Sequence, residues 1–320
     1  MKKTAVKILI FVSGLFVMQA IIGYMTMPME IRHFYNYLKE RVDVIYFCDS
    51  TMRYYPADDE SGAPIIKLLK ECNPEFSVET VDHPGYNLDI YYGYCRAIMR
   101  SEIKPKAVLI PISLYSLSVE WLRPGYDFKL EQTALQSDSI FNRIFYRSLA
   151  ALKKTSTTME QYMETNVYVG STIAGKAKDF DNKSYEIYSE EKFRKKIAVR
   201  YMYMAGNDSI KIGSLEKIAA MGKDRGVKFV FFVQPLDIET CSKFYGPDFM
   251  KTVKRNIAFI KEKAQSGGGV FLDYSGLLGK DEFAWKEKMY VNEHLNYRGR
   301  KKLAEKISMD VNGILSGRSK

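Results

Sequence analysis

The sequence predicts an α/β fold: a mostly parallel sheet between two helix layers, tethered by one membrane-crossing helix. Three observations predict it. Short β-branched and aromatic runs alternate with helix-length segments from residue 42 to the C-terminus, the pattern of βαβ crossovers. Residues 8–27 hold no charged side chain. A Tyr-, Thr-, Ser- and Lys-rich stretch over about 121–205 interrupts the alternation. With 46% hydrophobic and 27% charged residues, the 320-residue chain is long enough to bury a sizeable core.

The elements follow in order. Lys2, Lys3 and Lys7 precede the uncharged segment, which as a helix matches a hydrocarbon core of about 30 Å. The basic flank places the N-terminus in the cytoplasm and everything after residue 28 outside. A cleaved signal peptide has a shorter apolar stretch ending in an Ala-x-Ala-like site. Val17-Met18-Gln19-Ala20 is a poor version of that site, and apolar residues continue past it. A retained anchor over 1–28 is therefore expected, with a single-pass cell-membrane location and an extracytoplasmic domain over 29–320. Helices are expected at 29–40, 64–72, 88–100, 209–225, 247–264 and 297–315. Strands are expected at 42–47, 76–81, 106–112, 227–233 and 269–273. The interruption at about 121–205 is too long for an ordinary loop. It reads as a mainly helical insertion without a strand pair.

The net charge of +10 is spread over the chain rather than gathered in one tract, which argues against nucleic acid. Outside a membrane it suits anionic headgroups or an anionic envelope polymer. Cys48, Cys72, Cys95 and Cys241 show no Cys-x-x-Cys spacing, so neither a zinc site nor a thioredoxin-type motif is indicated. Buried free thiols are the expectation.

In parallel sheets, ligands bind beyond the carboxyl ends of the strands. Ser50, Gly85, Ser113 and Gln234 all fall at or just past such ends. Ser50, in Phe47-Cys48-Asp49-Ser50-Thr51, follows the first strand, and His294 precedes the last helix. A serine hydroxyl is a weak nucleophile until a base takes its proton, and His294 is the candidate base. Three segments resemble the SGNH, or GDSL-like, hydrolase family, especially its membrane-anchored members that act on cell-envelope polymers. Phe47-Cys48-Asp49-Ser50 is similar to the Gly-Asp-Ser block, with Cys48 in place of glycine. Pro84-Gly85-Tyr86-Asn87 is similar to the glycine block, and His294-Leu295-Asn296-Tyr297-Arg298-Gly299 to the histidine block. Ile110 to Ser116 stands where the third block carries its asparagine, here Ser113.

The resemblance implies a flavodoxin-like three-layer sandwich. It implies an esterase or O-acyltransferase acting on an envelope polysaccharide or teichoic-acid-like polymer through an acyl-serine, with a membrane acyltransferase as a further partner. Ser50 is then the nucleophile and His294 the base. The Ser50 and Gly85 amides and the Ser113 hydroxyl are the oxyanion donors, each donor worth about 3 kcal/mol. Neither a metal nor an organic cofactor is implied. The family's acid three residues before the histidine is here Val291, which cannot orient an imidazole. Asn292 and Glu293 adjoin it, and Asp273, ending the last strand, is the candidate substitute. Losing the acid costs a triad about 10⁴ in rate. A binding or scaffold protein of a polymer-assembly complex, on the same fold with a degenerate site, is therefore the alternative. A small-molecule-binding flavodoxin-like domain would need a phosphate-cradling glycine loop, which the sequence lacks.

The bland readings stand beside these. Ser50 is a good helix cap, Gly85 a turn glycine and Asp49 a turn former that bonds backbone amides. His33 reads as a surface residue and His83 as one that packs or caps. Tyr162, Tyr168, Tyr185 and Tyr188 of the insertion have the ring faces to stack on sugars, with core packing as the competing reading.

Overall fold

The computed structural model describes residues 2–53, 55, 59–123, 126–136, 140–153, 158–169, 172–176, 190–207, 209–223, 226–284 and 294–317. Helices α1 (Lys2–Met25) and α2 (Met29–Lys39) lead into strand β1 (Val44–Cys48) and a one-turn helix, α3 (Ser50–Arg53). Then come α4 (Ile65–Cys72), β2 (Val78–Asp82), α5 (Leu88–Arg100) and β3 (Ala107–Ile112). The expected insertion carries α6 (Lys129–Leu135), α7 (Ile140–Leu152), α8 (Met159–Met163), β4 (Asn166–Val169), β5 (Thr172–Lys176) and α9 (Glu190–Tyr201). The alternation resumes with α10 (Ile210–Met221), β6 (Lys228–Val233), α11 (Ile238–Tyr245), α12 (Pro247–Ser266), β7 (Val270–Asp273) and α13 (Tyr297–Leu315).

Five strands form one parallel sheet in the order β2-β1-β3-β6-β7, the flavodoxin-like arrangement. Strand residues alternate between faces with period two. Ile45, Phe47, Val108, Ile110, Phe229 and Phe231 pack with α2, α5, α10 and α12 on one side. Val44, Tyr46, Leu109, Val230 and Phe232 pack with α4 and α13 on the other. Burial on both faces is why β1 and β3 read as unbroken apolar runs rather than alternating ones. The three-layer sandwich expected from the sequence is thus the observed fold.

Three expectations need correction. The insertion does contain a strand pair: β4 and β5 form an antiparallel hairpin apart from the main sheet. Helix α11 was not anticipated; Asp237 caps it by accepting from the Thr240 amide at 2.9 Å. Helix α10 ends at Met221 with Gly222 as its C-cap, short of residue 225. All four cysteines are free thiols, three of them buried.

Helix α1 is long and apolar enough to cross a membrane, with a mean hydropathy of 2.3 over its most apolar window. Most of its large apolar side chains are exposed. The Phe16 ring meets Phe145 of α7 edge-on at 5.2 Å, and the Tyr146 hydroxyl donates to the Thr26 carbonyl at 2.8 Å. Helix α9 of the insertion is tied to the segment that follows β3 by a buried ion cluster, in which Glu120 accepts from Lys196 and, at 3.2 Å, from Arg200 Nε. The Arg200 guanidinium lies 4.1 Å from the Tyr115 ring centroid, a cation–π contact that closes the cluster.

Candidate active site

The direction of chain progression reverses between β1 and β3, so the crevice for ligands opens at their carboxyl ends. Ser50 sits there, half-buried, as the first residue of α3. Its turn is built by Asp49. The buried Asp49 carboxylate accepts from the Thr51 amide at 2.9 Å and the Thr51 hydroxyl at 2.5 Å. Its other oxygen accepts from Gln234 Nε2 at 3.1 Å, joining the ends of β1 and β6. Burial pushes the Asp49 pKa up, while the bonds from Thr51 and Gln234 pull it back. Behind the turn, the Tyr46 hydroxyl donates to the Met52 sulfur. Asp49 is thus more than the turn former expected from sequence, because it also spans two strands.

The His294 loop is held by backbone bonds. Phe283 and Leu295 form an antiparallel bridge, the Ala284 amide donates to the His294 carbonyl at 2.7 Å, and the Asn296 amide donates to the Glu282 carbonyl at 3.2 Å. Asn296 then caps α13, accepting from the Gly299 amide at 3.1 Å, and its own amide group reaches the Asp281 carbonyl at 2.7 Å. The glycine of this motif has a steric reason: a Cβ at Gly299 would lie 2.2 Å from the Glu282 carbonyl oxygen. The decisive contact is between the two loops. The Leu295 amide donates to the Thr51 carbonyl at 3.2 Å, so the residues following His294 and Ser50 are directly bonded.

One residue that local sequence reasoning missed secures this junction. Arg300, in the first turns of α13, is fully buried. Its Nη1 donates to the Leu295 carbonyl at 2.7 Å, Nη2 to Ser61 at 2.7 Å and Nε to Ala63 at 3.1 Å. Nη1 also lies 3.0 Å from Asp59 Oδ2, and Asp59 Oδ1 accepts from the Tyr297 amide at 2.9 Å. One planar fork thereby gathers the 59–63 loop and the histidine loop.

The other expected site residues lie at the places the topology requires, with the following contacts. Gly85 adopts φ +84° in the turn after β2, a conformation only glycine takes freely. A Cβ there would stand 3.5 Å from Phe128 and Tyr126 and 3.6 Å from Trp121, so rings of the insertion wall this turn. Ser113 is buried immediately after β3, and its carbonyl accepts from the Ser116 amide and hydroxyl at 3.0 and 2.7 Å. Asp273 is exposed at the end of β7 and accepts from the Ser275 amide at 2.9 Å; no bond links it to His294. Ser50 and His294 are both half-buried. Val291, Asn292 and Glu293 lie outside the described residues.

His33 is exposed. His83 stacks on Tyr86 at 4.5 Å and meets Phe128 edge-on at 5.6 Å. Tyr162 is buried and so is a packing residue. Tyr185 and Tyr188 are outside the described residues, and nothing is described of the Tyr168 side chain. Among the described residues, no three His, Cys, Asp or Glu side chains gather as a metal site.

Neither a protein-family model nor a curated protein sequence matches the chain. Its structure is similar to that of a variant of Axe2, an acetyl xylan esterase from Geobacillus stearothermophilus. The likeness covers 84% of this chain and 94% of that one, with a TM-score of 0.38 and 13% identity.

Proposed function

We propose that this chain is a serine esterase or O-acyltransferase working on an envelope polysaccharide or teichoic-acid-like polymer. The observation that carries the reading is the Leu295–Thr51 backbone bond, which brings the Ser50 and His294 loops together at the sheet's switch point. In this reading His294 takes the proton of Ser50 as its oxygen attacks the acyl carbonyl. The oxyanion is held by the Ser50 and Gly85 amides and the Ser113 hydroxyl. His294 then protonates the departing alcohol, and water or a second alcohol releases the acyl group from Ser50. The first step needs the His294 imidazole within hydrogen-bond reach of Ser50; catalytic hydrogen bonds often tighten only when substrate is bound. Asp273 would have to leave its Ser275 bond to serve as the acid, so a Ser–His pair without a carboxylate partner is the simpler mechanism. Helix α1 would anchor the domain on the outer side of the membrane, within reach of envelope polymer and of a membrane acyltransferase.

Turnover of p-nitrophenyl acetate by the full chain in detergent micelles tests this. Ser50→Ala and His294→Ala are each expected to lower the rate by about 10³-fold or more. A wild-type rate no higher than that of Ser50→Ala would contradict the proposal. The serine at position 113 and the valine at position 291 favour a second reading, a non-catalytic polymer-binding scaffold. That reading expects wild type and Ser50→Ala to be equally inert.

A further inference from the structure

A cavity of about 660 Å³ opens between the N-terminal turns of α5 and α10 and the aromatic turn around Trp121 and Tyr126. Its size is that of a small-molecule site, and none of the residues expected from sequence to be functional lines it. Lys211, in the first turn of α10, is the feature that most needs a partner. It is 4% exposed. Its ammonium has one hydrogen bond, to the Trp121 carbonyl at 3.0 Å, lies 5.8 Å from the Trp121 ring centroid, and has no carboxylate within ion-pair distance among the described residues. Burial lowers its pKa to about 8, with Asp89 acting in the opposite direction. The group therefore stays mostly charged at neutral pH. A buried charge with one neutral acceptor is costly unless something else pairs with it.

The rest of the lining agrees in sign and shape. Lys153 donates to Gln136 Oε1 at 2.8 Å rather than to a carboxylate, and Arg123 and Lys129 add positive charge. Asp127 lies 3.9 Å from Lys129. Asp89 accepts from the Ser214 hydroxyl at 2.8 Å, so an acceptor and a hydroxyl also line the wall. The position before α10 is Ser209, whose side chain makes no capping bond. The amides of that turn therefore add to the positive end. Trp121 and Tyr126 lie with ring centroids 4.5 Å apart and both line the cavity. Such faces suit the CH surface of a sugar ring. An inorganic anion alone would leave these faces and most of the volume unused, while a neutral sugar would leave Lys211 without an anionic partner.

We infer that this cavity binds a sugar residue carrying one anionic group, a carboxylate or a phosphate, with the anion at Lys211 and the ring against Trp121 and Tyr126. The inference stands on this geometry and holds whether or not Ser50 is a nucleophile. Trp121 and Tyr126 also wall the Gly85 turn, so cavity and candidate active site share one aromatic partition.

Calorimetric titration of the full chain in detergent micelles, carrying Ser50→Ala to prevent turnover, tests it with glucuronate, glucose 1-phosphate, glucose and inorganic phosphate. At least one charged sugar is expected to bind with a Kd of about 1 mM or tighter. Glucose and inorganic phosphate are expected to bind at least about 10-fold more weakly. Whichever charged sugar binds identifies the anion. Lys211→Met is expected to weaken that binding about 10-fold or more, and Lys153→Gln, toward the cavity rim, about 3-fold. No saturable binding of either charged sugar at about 10 mM overturns the inference. So does inorganic phosphate binding as tightly as the charged sugar, or an affinity unchanged in both lysine variants.

Discussion

The strand-end site and the insertion cavity meet on the same aromatic partition but are built by opposite means. At the strand ends, main-chain bonds do the positioning: Thr51 to Leu295, Ala284 to His294, Cys48 to His83. Side chains there, such as Asp49 and Arg300, serve mainly to tie loops to loops. In the cavity, the walls are side chains from separate elements, and charge and ring faces set the character. On the proposed reading, the first arrangement would hold Ser50 and His294 as nucleophile and base, and the second would recognise a ligand with side chains from α5, α10 and the insertion.

Substitutions can separate the two regions. The largest effect is expected from Arg300→Ala, which leaves the Asp59 carboxylate and three carbonyls without their guanidinium. Urea unfolding is expected to show a loss of about 3–5 kcal/mol. Below the transition, esterase turnover should fall while charged-sugar binding at the cavity persists; loss of both together would show that the regions are not independent. Next is Lys211→Met. The Lys211 pKa of about 8 lies below its ordinary 10.5, so the fold disfavours its charged form. Wild-type stability should therefore rise as pH climbs from about 8 toward 10.5, where the unfolded chain holds the extra proton. The methionine variant is expected to be more stable at pH 7 by on the order of 2 kcal/mol, with the gain shrinking toward pH 10. Thermal melts across that range check both sign and slope. The smallest effect is expected from Gly85→Ala. A Cβ there meets the rings at ordinary contact distance, so the cost of about 1 kcal/mol is the left-handed backbone itself. Turnover should drop as the Gly85 amide shifts, with cavity binding unchanged.

How much of this could be read from the sequence depends on whether the signal was local. β1, β3 and β6 were legible because burial on both faces forces compact β-branched and aromatic runs such as Val44 to Phe47. Their order alone places Ser50, Gly85, Ser113 and Gln234 at one edge of the sheet. The β4–β5 hairpin was missed because Val167-Tyr168-Val169 and Thr172-Ile173 are very short and sit among Ser, Thr and Lys; the Gly170-Ser171 pair between them was the available clue. Arg300 was illegible for another reason. On a helix with Arg298, Lys301 and Lys302 nearby it reads as one more exposed cation, and its partners at Asp59, Ser61 and Ala63 are far away in the chain. The cavity was equally hidden, since its lining comes from several separate stretches. Ser113 and Val291, where the family that the sequence resembles carries an asparagine and an acid, are departures legible directly in the sequence.

The most direct test of the central claim is covalent. A fluorophosphonate probe applied to the full chain in micelles, followed by peptide mass mapping, reports whether Ser50 is an activated nucleophile. The expected result is a single adduct on Ser50, absent in Ser50→Ala, and forming faster as pH rises and the imidazole base is deprotonated. No adduct between pH of about 6 and about 9, or an adduct on another residue with Ser50 untouched, would contradict the account.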